Sequence, residues 1–232
     1  MSLILSPFSR YIFELRLGRM NNVLDFLDKN PGALNSKMQT SPTAHESFLE
    51  LATRFDQTNN VLLLKNRGAV ETPTSAPGLL ARAVTNQNDR LVELFTQWGW
   101  DPWGACGDLQ APMPTAVCLG YTFALNLWDK AGVPFTHLND DGENLLHILM
   151  KQFAIWDASE QMRSTAVMLM KKGNAWDLKN AHGETPATLC NPKEQAKLTQ
   201  EWEKICAKRS KTAILNAIPQ DVEEKGGKKR KL

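Results

Sequence analysis

Four histidines (His45, His137, His147 and His182) and four cysteines (Cys106, Cys118, Cys190 and Cys206) are the side chains of this 232-residue sequence best suited to metal binding or nucleophilic work. Zinc sites set such residues a few positions apart, and neither that spacing nor a Cys-x-x-Cys redox pair occurs here. The sequence also holds no phosphate loop, Gly-x-Ser-x-Gly or His-Glu-x-x-His. A Cys–His nucleophile pair would meet in space rather than in sequence, so an enzyme with a cryptic site stays open as a disfavoured reading. The cysteines read as reduced packing residues. No metal, no other cofactor and no small-molecule substrate are expected.

A second chemistry, recognition through aromatic side chains, is better supplied. The stretch Trp98-Gly-Trp-Asp-Pro-Trp-Gly104 carries three tryptophans (Trp98, Trp100 and Trp103) at a turn, where small and polar residues are the rule. Phe135, with His137 beside it, and Trp176 occupy corresponding stretches further on. Asp101 and Asp177 would add charge for orientation. Trp156 lies in an insertion described below. Tryptophan is enriched among interface hot spots, so these residues form a candidate protein-binding set. Trp100 also has a packing reading, filling a gap between units, and Trp156 could pack on its own repeat.

The elements that would position these residues are punctuated by glycine. Asp140-Asp-Gly-Glu-Asn-Leu-Leu-His-Ile-Leu149 is echoed by Asn180-Ala-His-Gly-Glu-Thr-Pro-Ala-Thr-Leu189, each a glycine turn running into a helix. Gly132 precedes Gly142 by ten residues, as Gly173 precedes Gly183 and Gly68 precedes Gly78. Gly99 lies 33 residues before Gly132. Leu91, Val92, Leu94 and Phe95 have helical spacing, and Leu62–Gly68 and Met168–Gly173 repeat the same helix ending.

On these residues, with Asn144-Leu-Leu-His147 and Thr185-Pro186 approaching a Thr-Pro-Leu-His motif, residues 8 to 206 resemble an ankyrin-repeat protein, whose unit is about 33 residues of β-turn and two helices. The resemblance implies an all-α, ankyrin-type solenoid over 1–217. Its units lie near 8–40, 45–77, 78–110, 111–143 and 144–184, with a cap at 185–208 and a disordered tail at 218–232. It implies that His147 is a structural hydrogen-bonding residue at a helix start. It also implies that partners are met through the turn fingers and inner helices. Gly132 to Gly173 spans 41 residues, eight more than the preceding step, and the surplus is expected around Phe153–Glu160, between two helices. A polar capping helix is expected over Pro192–Ala207, since terminal repeats need a hydrated outer face.

Residues 225–232 carry five cations and no acid, which leaves the rest of the chain at −3. The body therefore offers no overall attraction to nucleic acid, and weak binding through the basic tail is the exception. Lys228-Lys-Arg-Lys231 reads as a solubilising end, as a nuclear-localisation signal, or as a nonspecific binder of acidic lipid or nucleic acid. Leu3-Ile-Leu5 is short for a signal-peptide core, and no apolar run approaches transmembrane length. The expected location is cytoplasmic, or host cytoplasm or nucleus for a delivered effector. The expected function is non-catalytic binding of another protein, as a host-directed effector or alternatively as an intracellular inhibitor or immunity protein.

Overall fold

The structure, a computed structural model, describes residues 7–40, 45–71, 76–104, 111–155 and 158–217. It is rich in α-helix; the described strands are the two-residue pair β1 (Met38–Gln39) and β2 (His45–Glu46), antiparallel with Met38 opposite Glu46. That pair leads into Ser47. Ser47 and Glu50 form a reciprocal capping box at the next helix. The chain divides into two compact units, Met1–Pro134 and Phe135–Leu232.

The first unit is a series of helix pairs: α1 (Pro7–Arg16) with α2 (Met20–Lys29), α3 (Phe48–Arg54) with α4 (Thr58–Asn66), α5 (Ala76–Thr85) with α6 (Asp89–Gln97), and α7 (Pro112–Leu119) with α8 (Thr122–Lys130). Helices α1, α3, α5 and α7 pack in succession, and α6 packs on α8. The apolar periodicity explains this: Leu79, Leu80, Ala83 and Val84 of α5, and Leu91, Val92 and Phe95 of α6, are buried. Each such leucine or phenylalanine contributes about 1.5–3 kcal/mol by leaving water. The tight reversal inside a pair needs one left-handed residue. It is Gly18 or Gly120 in two pairs, but Asp56 (φ 61°) and Gln87 (φ 52°) in the others. Gly78, expected to be a turn glycine, instead lies inside α5.

Successive pairs are stitched by side-chain hydrogen bonds between residues about one unit apart. Gln57 donates to the Leu15 carbonyl (42 residues away), Asn88 to Asp56 (32) and Trp128 to Thr96 (32). The Tyr121 hydroxyl donates to Asp89, also 32 residues away.

In the second unit, α9 (Leu145–Ile155) pairs with α10 (Glu160–Lys171); a one-turn helix α11 (Pro186–Leu189) then leads to α12 (Pro192–Ala217). The surplus residues go largely into helix length: α9 has 11 residues and α10 has 12, against 7–10 in the first unit. Ile155 still belongs to α9, which corrects the expectation of a loop beginning at Phe153. The capping helix runs ten residues past its expected end at Ala207. Among the described residues no helix is long and apolar enough to cross a membrane.

Candidate protein-binding finger edge

After the helix-ending glycines side chains tend to alternate inward and outward, with Val133, Ala175 and Glu71 half-buried at their positions. One residue on, Ala69, Trp100 and Asn174 are buried; two on, Val70, Asp101 and Pro134 are exposed. Three on, Pro102, Phe135 and Trp176 are buried; four on, Thr136 and Asp177 are exposed and Trp103 is half-exposed. Trp103 therefore corresponds to Thr136 and Asp177, one position beyond Phe135 and Trp176. A slip of one residue sends a side chain to the opposite face.

That slip corrects the aromatic set. Phe135 (4 % exposed) and Trp176 (3 %) are interior residues of the second unit. The Trp176 indole N–H donates to Thr199 Oγ1 of α12 at 3.2 Å, and Asn174 Nδ2 donates to the Phe135 carbonyl at 3.0 Å. Neither aromatic ring is open to a partner. Trp100 (8 % exposed) follows its packing reading: it stacks on Phe95 at 4.2 Å, and its indole N–H donates to Glu71 at 3.1 Å.

The exposed part of the first unit's finger is well braced. Asp101 accepts from the Trp103 backbone N–H at 2.9 Å, and the Trp103 indole N–H donates to the Pro134 carbonyl at 3.0 Å. Gly104 presses on α5: a Cβ there would lie 2.6 Å from Pro77 Cγ, so a larger residue would force the proline ring or the turn to shift. Half-exposed Trp98 meets Trp100 edge-on at 5.5 Å, with the Lys65 ammonium 5.0 Å above its ring. Lys65 also pairs with both oxygens of Glu71 at 2.8 Å. Lys65, Glu71 and Val70, the last 63 % exposed, were not singled out by sequence. The one available signal was the shared offset of Val70 and Asp101 from their glycines. In the second unit, His137 and Asp177 are exposed. Trp156, Lys228, Lys229, Arg230 and Lys231 lie outside the described residues, as does the expected disordered tail.

The titratable interior of the second unit is structural. Asn139 and Glu143 close a turn that Asn180 and Glu184 duplicate bond for bond. In each, the asparagine Oδ1 accepts from the glutamate N–H, and the asparagine N–H donates to the glutamate carbonyl. Asn180 Nδ2 and the Ala181 N–H, bonded to Glu143 and the Asp141 carbonyl, join the two turns. Burial pushes the Glu143 carboxyl up, but bonds from Lys151, Asn139 and Asn180 outweigh it and hold the group below the usual range.

Fully buried His147 accepts the Asn144 N–H on Nδ1 at 3.2 Å, which leaves Nε2–H to donate to the Glu184 carbonyl at 3.2 Å. Burial lowers its pKa, partly offset by the Glu184 bond. Burial also pushes the Cys118 and Cys190 thiols up to about 11, so both are protonated thiols at neutral pH. Among the described residues no group of three His, Cys, Asp or Glu is placed to hold a metal ion. Compared with known proteins, the chain matches no protein-family model and no curated protein.

Proposed function

We propose that this chain is a divergent ankyrin-type array that binds another protein through the outward residues of its first-unit finger, without catalysis. The repeat part of this reading is supported by the stitching of both units. In the second unit, too, side-chain bonds recur at one-unit separations: Asn144 to the Ala175 carbonyl (31 residues), Arg163 to Glu194 (31) and Asn191 to the Phe153 carbonyl (38). The binding part is carried by one observation, a half-exposed tryptophan held rigid at a turn tip. Trp103 is fixed by Asp101 and Pro134, so little rotamer freedom is lost when a partner covers it, and a large aromatic area becomes buried. Exposed Val70 and Asp101 extend the same outward register.

A host-directed effector is the role we favour for such a module, and the basic tail Lys228–Lys231, suited to nuclear import, is what supports it. The deciding experiment compares wild type, Trp103→Ala and Asp101→Ala in affinity capture from eukaryotic cell extract, followed by calorimetric titration of the purified partner. Loss of about 2–4 kcal/mol of affinity in Trp103→Ala, with an unchanged melting curve, supports the finger. Full affinity in both variants would place the binding site elsewhere.

A further inference from the structure

The mildly negative charge of the body is an average, and α12 departs from it. Residues 192–217 carry six Lys/Arg against three Asp/Glu. Lys193, Lys197, Lys204, Lys208 and Lys211 are all exposed. At helical spacing they fall within a sector of about 60° and run for about 27 Å along the axis. Beside this ridge, Lys171 at the end of α10 joins Lys204, Lys208 and Arg209 around a groove of about 340 Å³, floored by Ile205 and holding Glu201 as its one acid. Glu201 bonds Lys204 at 2.6 Å. That bond first, and then the charges of Lys171 and Lys208, hold its carboxyl below the usual range. Arg209 turns inward to donate to the Met170 and Lys171 carbonyls.

We propose that the lysine ridge of α12 and its groove bind the phosphate backbone of double-helical nucleic acid without regard to sequence. The ridge is made of point charges, and an evenly charged polyanion is what point charges without aiming groups can hold. A protein partner is disfavoured, because lysine is depleted at interface cores. A membrane would want large apolar side chains on the helix face, whereas the exposed residues flanking the ridge over residues 193–212, where side-chain exposure is described, include Ala196, Gln200, Glu203, Ala207, Ser210 and Thr212. Single strands bind on open aromatic faces, and Trp202, exposed to the same intermediate degree as Trp103, has its face taken by the Arg209 guanidinium 5.9 Å over the ring.

The test is fluorescence anisotropy of a short labelled DNA duplex of arbitrary sequence with the full chain, over a salt series. The log of the binding constant should fall linearly with log salt, by roughly 0.9 per phosphate neutralised. The triple variant Lys204→Gln/Lys208→Gln/Lys211→Gln, with its helicity checked by circular dichroism, should bind at least roughly tenfold more weakly and flatten that slope by about 2–3. Trp103→Ala should leave duplex binding unchanged, which separates this ridge from the finger. Absence of duplex binding would overturn the proposal. So would affinity indifferent to the triple variant but abolished by deleting residues 225–232, or binding to phosphatidylserine vesicles without binding to the duplex.

Discussion

Trp103 and Trp176 follow the same kind of helix ending, at four and three residues past a turn glycine, and their environments are opposite. Trp103 is half-exposed and braced at its edge; Trp176 is buried and bonded to the cap helix. Composition treats the two alike, and register parity separates them. An aromatic residue near a turn is therefore evidence of binding only when its offset from the glycine is an outward one. At an inward offset it is core.

The sharpest way to break this comparison is Trp176→Ala. Truncating a buried tryptophan should cost about 3–5 kcal/mol of stability, read by chemical denaturation, with Phe135→Ala close behind. A loss below about 1 kcal/mol would show that Trp176 is not core. Trp103→Ala should behave inversely, costing about 2–4 kcal/mol of partner affinity and much less than that in the denaturation midpoint energy.

His147→Ala comes next, at about 1–3 kcal/mol of stability for the unpaired helix-start network, with partner binding retained in whatever fraction stays folded. The same residue sets a pH dependence. Because its folded pKa lies below the ordinary value of about 6.5, the unfolded chain takes up the proton first. The His147 contribution is complete above that value and is lost as pH falls towards the folded pKa. Wild type should lose stability more steeply than His147→Ala between neutrality and mildly acid pH; parallel curves would remove the histidine from the account. The smallest expected effect is deletion of residues 225–232, which should leave the melting temperature unchanged. If the tail directs import, the deletion shifts the protein from nucleus to cytoplasm in a eukaryotic cell, and an unchanged distribution discards that role.

Helix placement was legible because apolar spacing and glycine both speak for it: Leu91, Val92 and Phe95 are buried on one face, and Gly99 is left-handed at the end of α6. Other reversals were illegible because Asp56 and Gln87 occupy the left-handed position, and nothing in either residue type announces it. Gly78 misled for the converse reason, since glycine is tolerated in a helix at a cost of about 1 kcal/mol. The cap helix outruns its expected end because helix continuation is limited by breakers: Lys208, Arg209 and Lys211 carry its charge beyond Ala207, and the next breaker is Pro219. The finger was half legible: its tryptophans were visible, but inward or outward placement depends on a count of one. The lysine ridge was present in the sequence at three-, four- and seven-residue steps, and a net charge cannot show it.

The one-unit span of the stitching bonds has a consequence for how irregular this chain can afford to be. Each bond closes a segment of 29 to 42 residues, and the entropy of closing a chain segment grows only with the logarithm of its length. Between those limits the cost changes by about 0.3 kcal/mol. Eight additional residues between Gly132 and Gly173 are thus nearly neutral for ring closure, provided they can be absorbed as helix, as α9 and α10 absorb them. Variation in unit length is thermodynamically cheap in this architecture, whereas a shift of one residue within a finger exchanges core for surface.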